Sequence, residues 1–123
     1  MKIAISPTSS HYSIKRYSAE GVTINETDYT QSIIISADKL LTDWAPQTLD
    51  ELKAEDFTPI LALKPTVLLL GVGEKHRFPA PALLKILYQN NVGVEVMTTP
   101  AACRTFNVLV SEGRAVVAAL LRG

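Results

Sequence analysis

The chain has 123 residues, 47% of them apolar and 20% charged, with Lys plus Arg and Asp plus Glu balanced at 12 each. That composition belongs to a folded domain with room for one real core. It excludes a disordered, fibrous or low-complexity chain, and it supplies no overall field with which to recruit nucleic acid or acidic lipid.

Residues 1–12, with Pro7 among Ser6, Thr8, Ser9 and Ser10, read as a mobile lead-in to a single α/β domain over 13–123. This stretch has neither the apolar segment of a secretory signal nor the Arg-rich amphipathic character of a transit peptide. No apolar run approaches the roughly 20 residues of a membrane-spanning helix. The expectation is a cytoplasmic protein with no membrane insertion, and the single cysteine, Cys103, fits a reducing compartment and excludes an intrachain disulfide.

Short β-type pieces follow: Ile14 to Ser18, a turn at Glu20-Gly21, Val22 to Ile24, and a second turn over Asn25 to Asp28. Gln31 to Ser36, holding Ile33-Ile34-Ile35, reads as a strand buried on both faces, and Lys39 to Trp44 as a further short strand. Together these predict an N-terminal antiparallel β-meander. Pro46 ends it, Thr48 or Asp50 is placed to cap a short helix through Glu55, and Phe57 to Leu63 is either a helical turn or coil.

The second half predicts a βαβαβ run. Val67 to Leu70 is a short apolar strand stopped at Gly71-Val72-Gly73. Pro81 opens a helix whose apolar face holds Leu83, Leu84, Leu87 and Tyr88, ending near Asn90. Val92 to Met97 is the next strand, joined to the first by a parallel crossover. Thr99 as N-cap and Pro100 start a second helix, Gly113 ends it in the left-handed region, and Val116 to Leu121 is the last strand.

A parallel sheet gathers its βα loops at one edge, where helix N-termini point backbone N–H groups outward. Here that edge would bring together Gly71, Gly73, Lys75 and Arg77 from one loop with Thr98, Thr99, Arg104 and Asn107 from the other, a set suited to a small anion. The glycine pair is not a dinucleotide fingerprint, because His76 stands where the third glycine would be, and no phosphate-loop motif occurs. A tight turn with positive φ is the structural explanation for both glycines. Cys103 is either a small core residue or, with His76 across the edge, a thiol nucleophile; the core assignment is preferred. Glu95, between Val94 and Val96, either faces an open surface or pairs with a cation such as Arg104 or Arg114, and the ion pair is preferred. Neither His11 nor His76 has a partner at metal-ligand spacing, so no metal or cofactor is expected. Charge is unevenly divided, with five basic and nine acidic side chains in residues 1–62 and seven and three in residues 63–123. Two faces of opposite sign therefore either neutralise one another or leave an anion-binding face.

The block Gly93-Val94-Glu95-Val96-Met97-Thr98-Thr99-Pro100-Ala101-Ala102-Cys103-Arg104-Thr105-Phe106-Asn107-Val108-Leu109 resembles the hallmark of a small family of unknown function, the Mth-domain proteins. That family includes mitochondrial complex I assembly factor three and the adipogenesis-associated Mth-domain protein. Ile24-Asn25, Trp44, Leu68 to Gly73, Phe78 and Pro79 agree in order, so the resemblance runs from about Ile14 to Leu121 and is nearest to uncharacterised bacterial members. It implies a three-layer β/β/α fold with a mixed central sheet, no catalytic residues, and an assembly or interaction role with a protein partner. Family members commonly carry an acidic residue where this chain has Thr98, so a carboxylate role there does not transfer. A small-molecule or anion-binding domain at the βα-loop edge is the alternative. Nucleic acid is not expected, since Tyr29, Trp44 and Phe57 are not interleaved with basic residues.

Overall fold

The computed structural model describes residues 11–122. Of the expected lead-in only His11 and Tyr12 fall within them; the rest lies outside the described residues. Tyr12 is already tied in, its N–H donating to the Ala37 carbonyl at 2.9 Å.

Two sheets form. β1 (Ile14–Ser18), β2 (Gly21–Ile24) and β3 (Thr27–Tyr29) make an antiparallel meander. The segment read as a turn over Asn25 to Asp28 thus holds a strand. Asn25 takes φ 53°, which closes the turn at Asn25-Glu26 and frees Thr27 to pair with Ile24. β4 (Ile33–Ser36) and β5 (Leu40–Leu41) leave the meander for a central five-stranded sheet with β6 (Val67–Gly71), β7 (Gly93–Met97) and β8 (Val116–Leu120), in the order β5-β4-β8-β6-β7. β6 pairs parallel with both β7 and β8, and β4 runs antiparallel to β8, so the sheet is mixed.

Side-chain alternation assigns each central strand to two cores at once. Ile34, Leu68, Leu70, Val117 and Ala119 point to one face, where Trp44, Leu49, Leu52, Phe57, Ile60, Leu84 and Leu87 cover them. Ile33, Ile35, Val67, Leu69, Val116, Ala118 and Leu120 point to the other, against the meander and the last helix. The result is the expected β/β/α stack, with that helix packed beside the meander.

Between the sheets' strands, the short helix expected from Thr48 or Asp50 through Glu55 is two 3-10 turns, Leu49–Glu51 and Ala54–Phe57, leading into α1 (Thr58–Ala62). Leu52 interrupts the run with extended backbone while its side chain stays buried. The strand expected over Lys39 to Trp44 shrinks to two residues, because Trp44 turns inward and its indole N–H donates to the Asp56 carbonyl at 2.9 Å. α2 is Pro81–Gln89 and buries Leu84 and Leu87, but Tyr88, expected on the same apolar face, falls outside the buried one and is 55% exposed. α3 is Thr99–Ser111, burying Thr99, Ala102, Cys103 and Phe106 at helical spacing. Gly113 ends it with φ 78°.

Candidate functional site

The two βα loops at the carboxyl edge of the central sheet do meet. The Val72 N–H donates to the Met97 carbonyl at 2.9 Å, and the Thr99 N–H to the Gly73 carbonyl at 2.8 Å. Thr99, 1% exposed, completes the seam: its hydroxyl accepts from the Gly73 N–H at 2.9 Å and donates to the Leu121 carbonyl at 3.0 Å. Loop 71–73, the start of α3 and the end of β8 are thereby stitched into one buried knot. Gly71 belongs to it through close packing rather than positive φ. A Cβ there would lie 3.0 Å from both the Thr99 Cα and Oγ1 and 3.2 Å from a Leu120 methyl. Gly73, at φ 105°, is the member that needs the left-handed region.

This knot changes what the N-terminus of α3 offers a ligand. Thr98 is the N-cap, one residue earlier than expected, and its side chain accepts from the Ala101 N–H at 3.4 Å. The Ala102 N–H goes to the Thr98 carbonyl, Pro100 has no N–H, and Thr99 donates to Gly73. Each of the first helical N–H groups is satisfied internally or missing, so the anion cradle that such an end usually presents is closed.

The remaining residues of the expected set separate. Arg77 reaches away to Asp50 in an exposed pair at 2.7 Å. Asn107 is consumed by the backbone of Ile14, its carbonyl oxygen accepting the N–H at 3.0 Å and its amide donating to the carbonyl at 2.7 Å. Lys75 and Arg104 are exposed. The ion pair expected for Glu95 does not form: the residue is exposed on β7, which has a neighbour on one side only, and Arg77 with Asp50 is the ion pair found among the described residues. Cys103 is a core residue, and burial pushes its thiol up to about 12 against a smaller opposing pull from Arg104. A thiol so held is a poor nucleophile at neutral pH.

A second concavity was not singled out from sequence. β1 and β2 lose register between Ile14 and Arg16, so that Lys15 is an extra residue in β1. The bulge lets Ile14 and Tyr17 both face inward and delivers the consecutive cations Lys15 and Arg16 to a groove of about 290 Å³ against Pro100, Cys103, Arg104 and Asn107 of α3. Tyr17 lies in its wall. Burial, with Glu74 and the Cys103 thiol adding to it, raises the phenol's pKa above its ordinary value. On its other side Tyr17 borders a void of only about 10 Å³ that ends at Arg122, and Arg122 with Glu74, Lys75 and Arg77 lines a separate basin of about 420 Å³. The signal available in sequence was Lys15-Arg16 inside a strand, but only pairing reveals the bulge. Among the described residues no group of three or more His, Cys, Asp or Glu side chains gathers where it could hold a metal ion.

Known proteins resemble this chain in sequence and in fold. The chain is 34% identical over 120 residues to the NADH dehydrogenase [ubiquinone] 1 alpha subcomplex assembly factor 3 of Xenopus tropicalis, covering 88% of this chain and 65% of that protein, so it spans less than two thirds of the relative's length. It is 29% identical over 102 residues to the 13 kDa major membrane protein of Francisella tularensis, covering 81% and 82% of the two chains. Among the described residues of this chain no helix is long and apolar enough to cross a membrane. A solution structure from Xanthomonas campestris superposes with a TM-score of 0.85 at 35% identity, covering 100% of this chain and 93% of that one. A Mth938-like domain from Bordetella pertussis does so with a TM-score of 0.82 at 26% identity, covering 99% and 92%. Residues 14–121 match the model of one family, and the chain belongs to it: the proteins of unknown function described as DUF498/DUF598.

Proposed function

We propose that this protein is a non-enzymatic interaction factor of the assembly type, which works by binding another protein in the cytoplasm. The observation that carries the reading is the seam between the two βα loops. In an open parallel sheet that crevice is where substrates and cofactors are received, and here Thr99 fills it with hydrogen bonds to Gly73 and Leu121 while Gly71 packs directly against it, leaving only an open basin of about 420 Å³ beside the seam, between Val72, Lys75, Arg77 and Arg122. What remains for recognition is open surface of the kind proteins present to proteins: shallow grooves, and side chains such as Phe78, 75% exposed, and Val108, 53% exposed. The relatives named as assembly factors support the same reading.

The alternative, a small anion held at the βα-loop edge, has less to stand on. Asn107 and Thr99 are spent on the backbone, Arg77 is paired, and the α3 N–H groups are used. The exposed side chains of Lys75, Arg104 and Arg122, with the Thr98 hydroxyl, remain to hold it. Affinity isolation from native lysate, run beside a thermal-shift panel of metabolites, separates the two. A reproducible protein partner with a flat metabolite panel is expected; a metabolite that stabilises the fold, with no reproducible partner, would overturn the proposal.

A further inference from the structure

The groove between the β1 bulge and α3 differs from the closed seam at Thr99 in both charge and shape. Lys15, Arg16 and Arg104 border it, and neither Asp nor Glu lines it; Glu20 and Asp28 line the adjoining cavity that Arg16 also borders, which leaves Lys15 and Arg104 as the cations facing no carboxylate there. Its floor runs from Pro100 to Asn107, two turns of helix or about 10 Å, which matches about three residues of extended chain. The bulge is what brings the cations there: without the extra residue, Ile14 and Tyr17 could not both face the core, and Lys15-Arg16 would not stand side by side at the helix.

A compact anion needs short, convergent donors, and the half-buried amide in the floor, Asn107, is already bound to Ile14 on both its atoms. Long exposed cations spread along a shallow track suit instead several carboxylates spaced along an extended chain. We infer that the β1–α3 groove is a docking site for an acidic extended segment of a protein partner, gripped by Lys15, Arg16 and Arg104. This deepens the interaction-factor reading and rests on it.

The test is fluorescence anisotropy of a labelled decaglutamate peptide at low salt with the full chain, its Lys15→Glu/Arg104→Glu variant, and a Lys85→Glu control on the exposed side of α2. The wild type and the control should bind alike. The double variant should bind about tenfold more weakly, as expected when two rim charges are reversed, and the wild-type affinity should fall as salt screens the charges. If charge reversal disturbs the fold, Lys15→Gln/Arg104→Gln removes the charges without adding carboxylates and should still weaken binding. Equal binding by all variants overturns the site. So does preferential binding of polyuridylate or phosphatidylglycerol vesicles when these compete with the peptide. Affinity isolation with the same variants keeps the two levels apart: a partner retained equally by the double variant removes this groove but not the interaction role, while the absence of any partner on the wild type removes the role itself.

Discussion

Thr99 shows how one side chain decides what an edge can do. Read from sequence it is a helix N-cap and a candidate anion ligand; in the fold it is the first residue of α3, and its hydroxyl ties Gly73 to Leu121 in a buried site. Replacing it by valine keeps the shape and strands one N–H and one carbonyl. Thr99→Val should therefore lower stability by about 2–4 kcal/mol in urea unfolding, since a buried polar group left unpaired costs on the order of 1–3 kcal/mol. Cys103 makes the complementary point. Its thiol pKa rises from 9.0 to about 12 on folding, so above pH 9 the unfolded chain releases a proton that the folded chain keeps. The contribution is fully present below pH 9 and is lost as pH climbs from 9 towards 12, with a slope of up to about 1.4 kcal/mol per pH unit. Thiol labelling near pH 8 should be slow in the folded protein and fast in denaturant; equal rates in the two would contradict a buried Cys103. The core assignment of this cysteine was legible from its neighbours Ala102 and Phe106, whereas the consumption of Asn107 was not, because its partner Ile14 lies 93 positions away.

At the scale of elements, the strand-helix-strand-helix-strand run was readable to within a residue or two, since apolar runs and Pro and Gly punctuation mark its boundaries. The misses have local causes. β3 carries the polar, partly exposed sequence Thr27-Asp28-Tyr29, which has no apolar period to announce it. The two 3-10 turns look like one helix until Leu52 is required by the core. The helix start slipped by one residue because two consecutive threonines compete to cap it and the second is drawn into the seam. The contact between β6 and α3 depends on Gly71, which sequence alone explained by a turn. Gly71→Ala should push the start of α3 from the sheet and cost about 1–3 kcal/mol in urea unfolding, the range for overfilling a packed site. A variant as stable as wild type would mean that the two elements do not pack this closely.

Across the whole molecule the charge asymmetry between the two halves was visible from the first count, but not its layout. Basic residues from both halves, Lys15 and Arg16 on β1 with Arg104 on α3, meet at one groove, so the division by sequence is not the division by surface. The meander and α3 share one face of the central sheet, and their junction leaves an open, positively bordered groove, while the seam between the two βα loops is closed by Thr99. The most direct measurement is size-exclusion chromatography of native extract with mass-spectrometric detection of the endogenous chain. The account expects it to co-elute with another polypeptide at an apparent mass well above its own 13.4 kDa. Elution as the free chain alone, with no polypeptide following its profile, would contradict the interaction role.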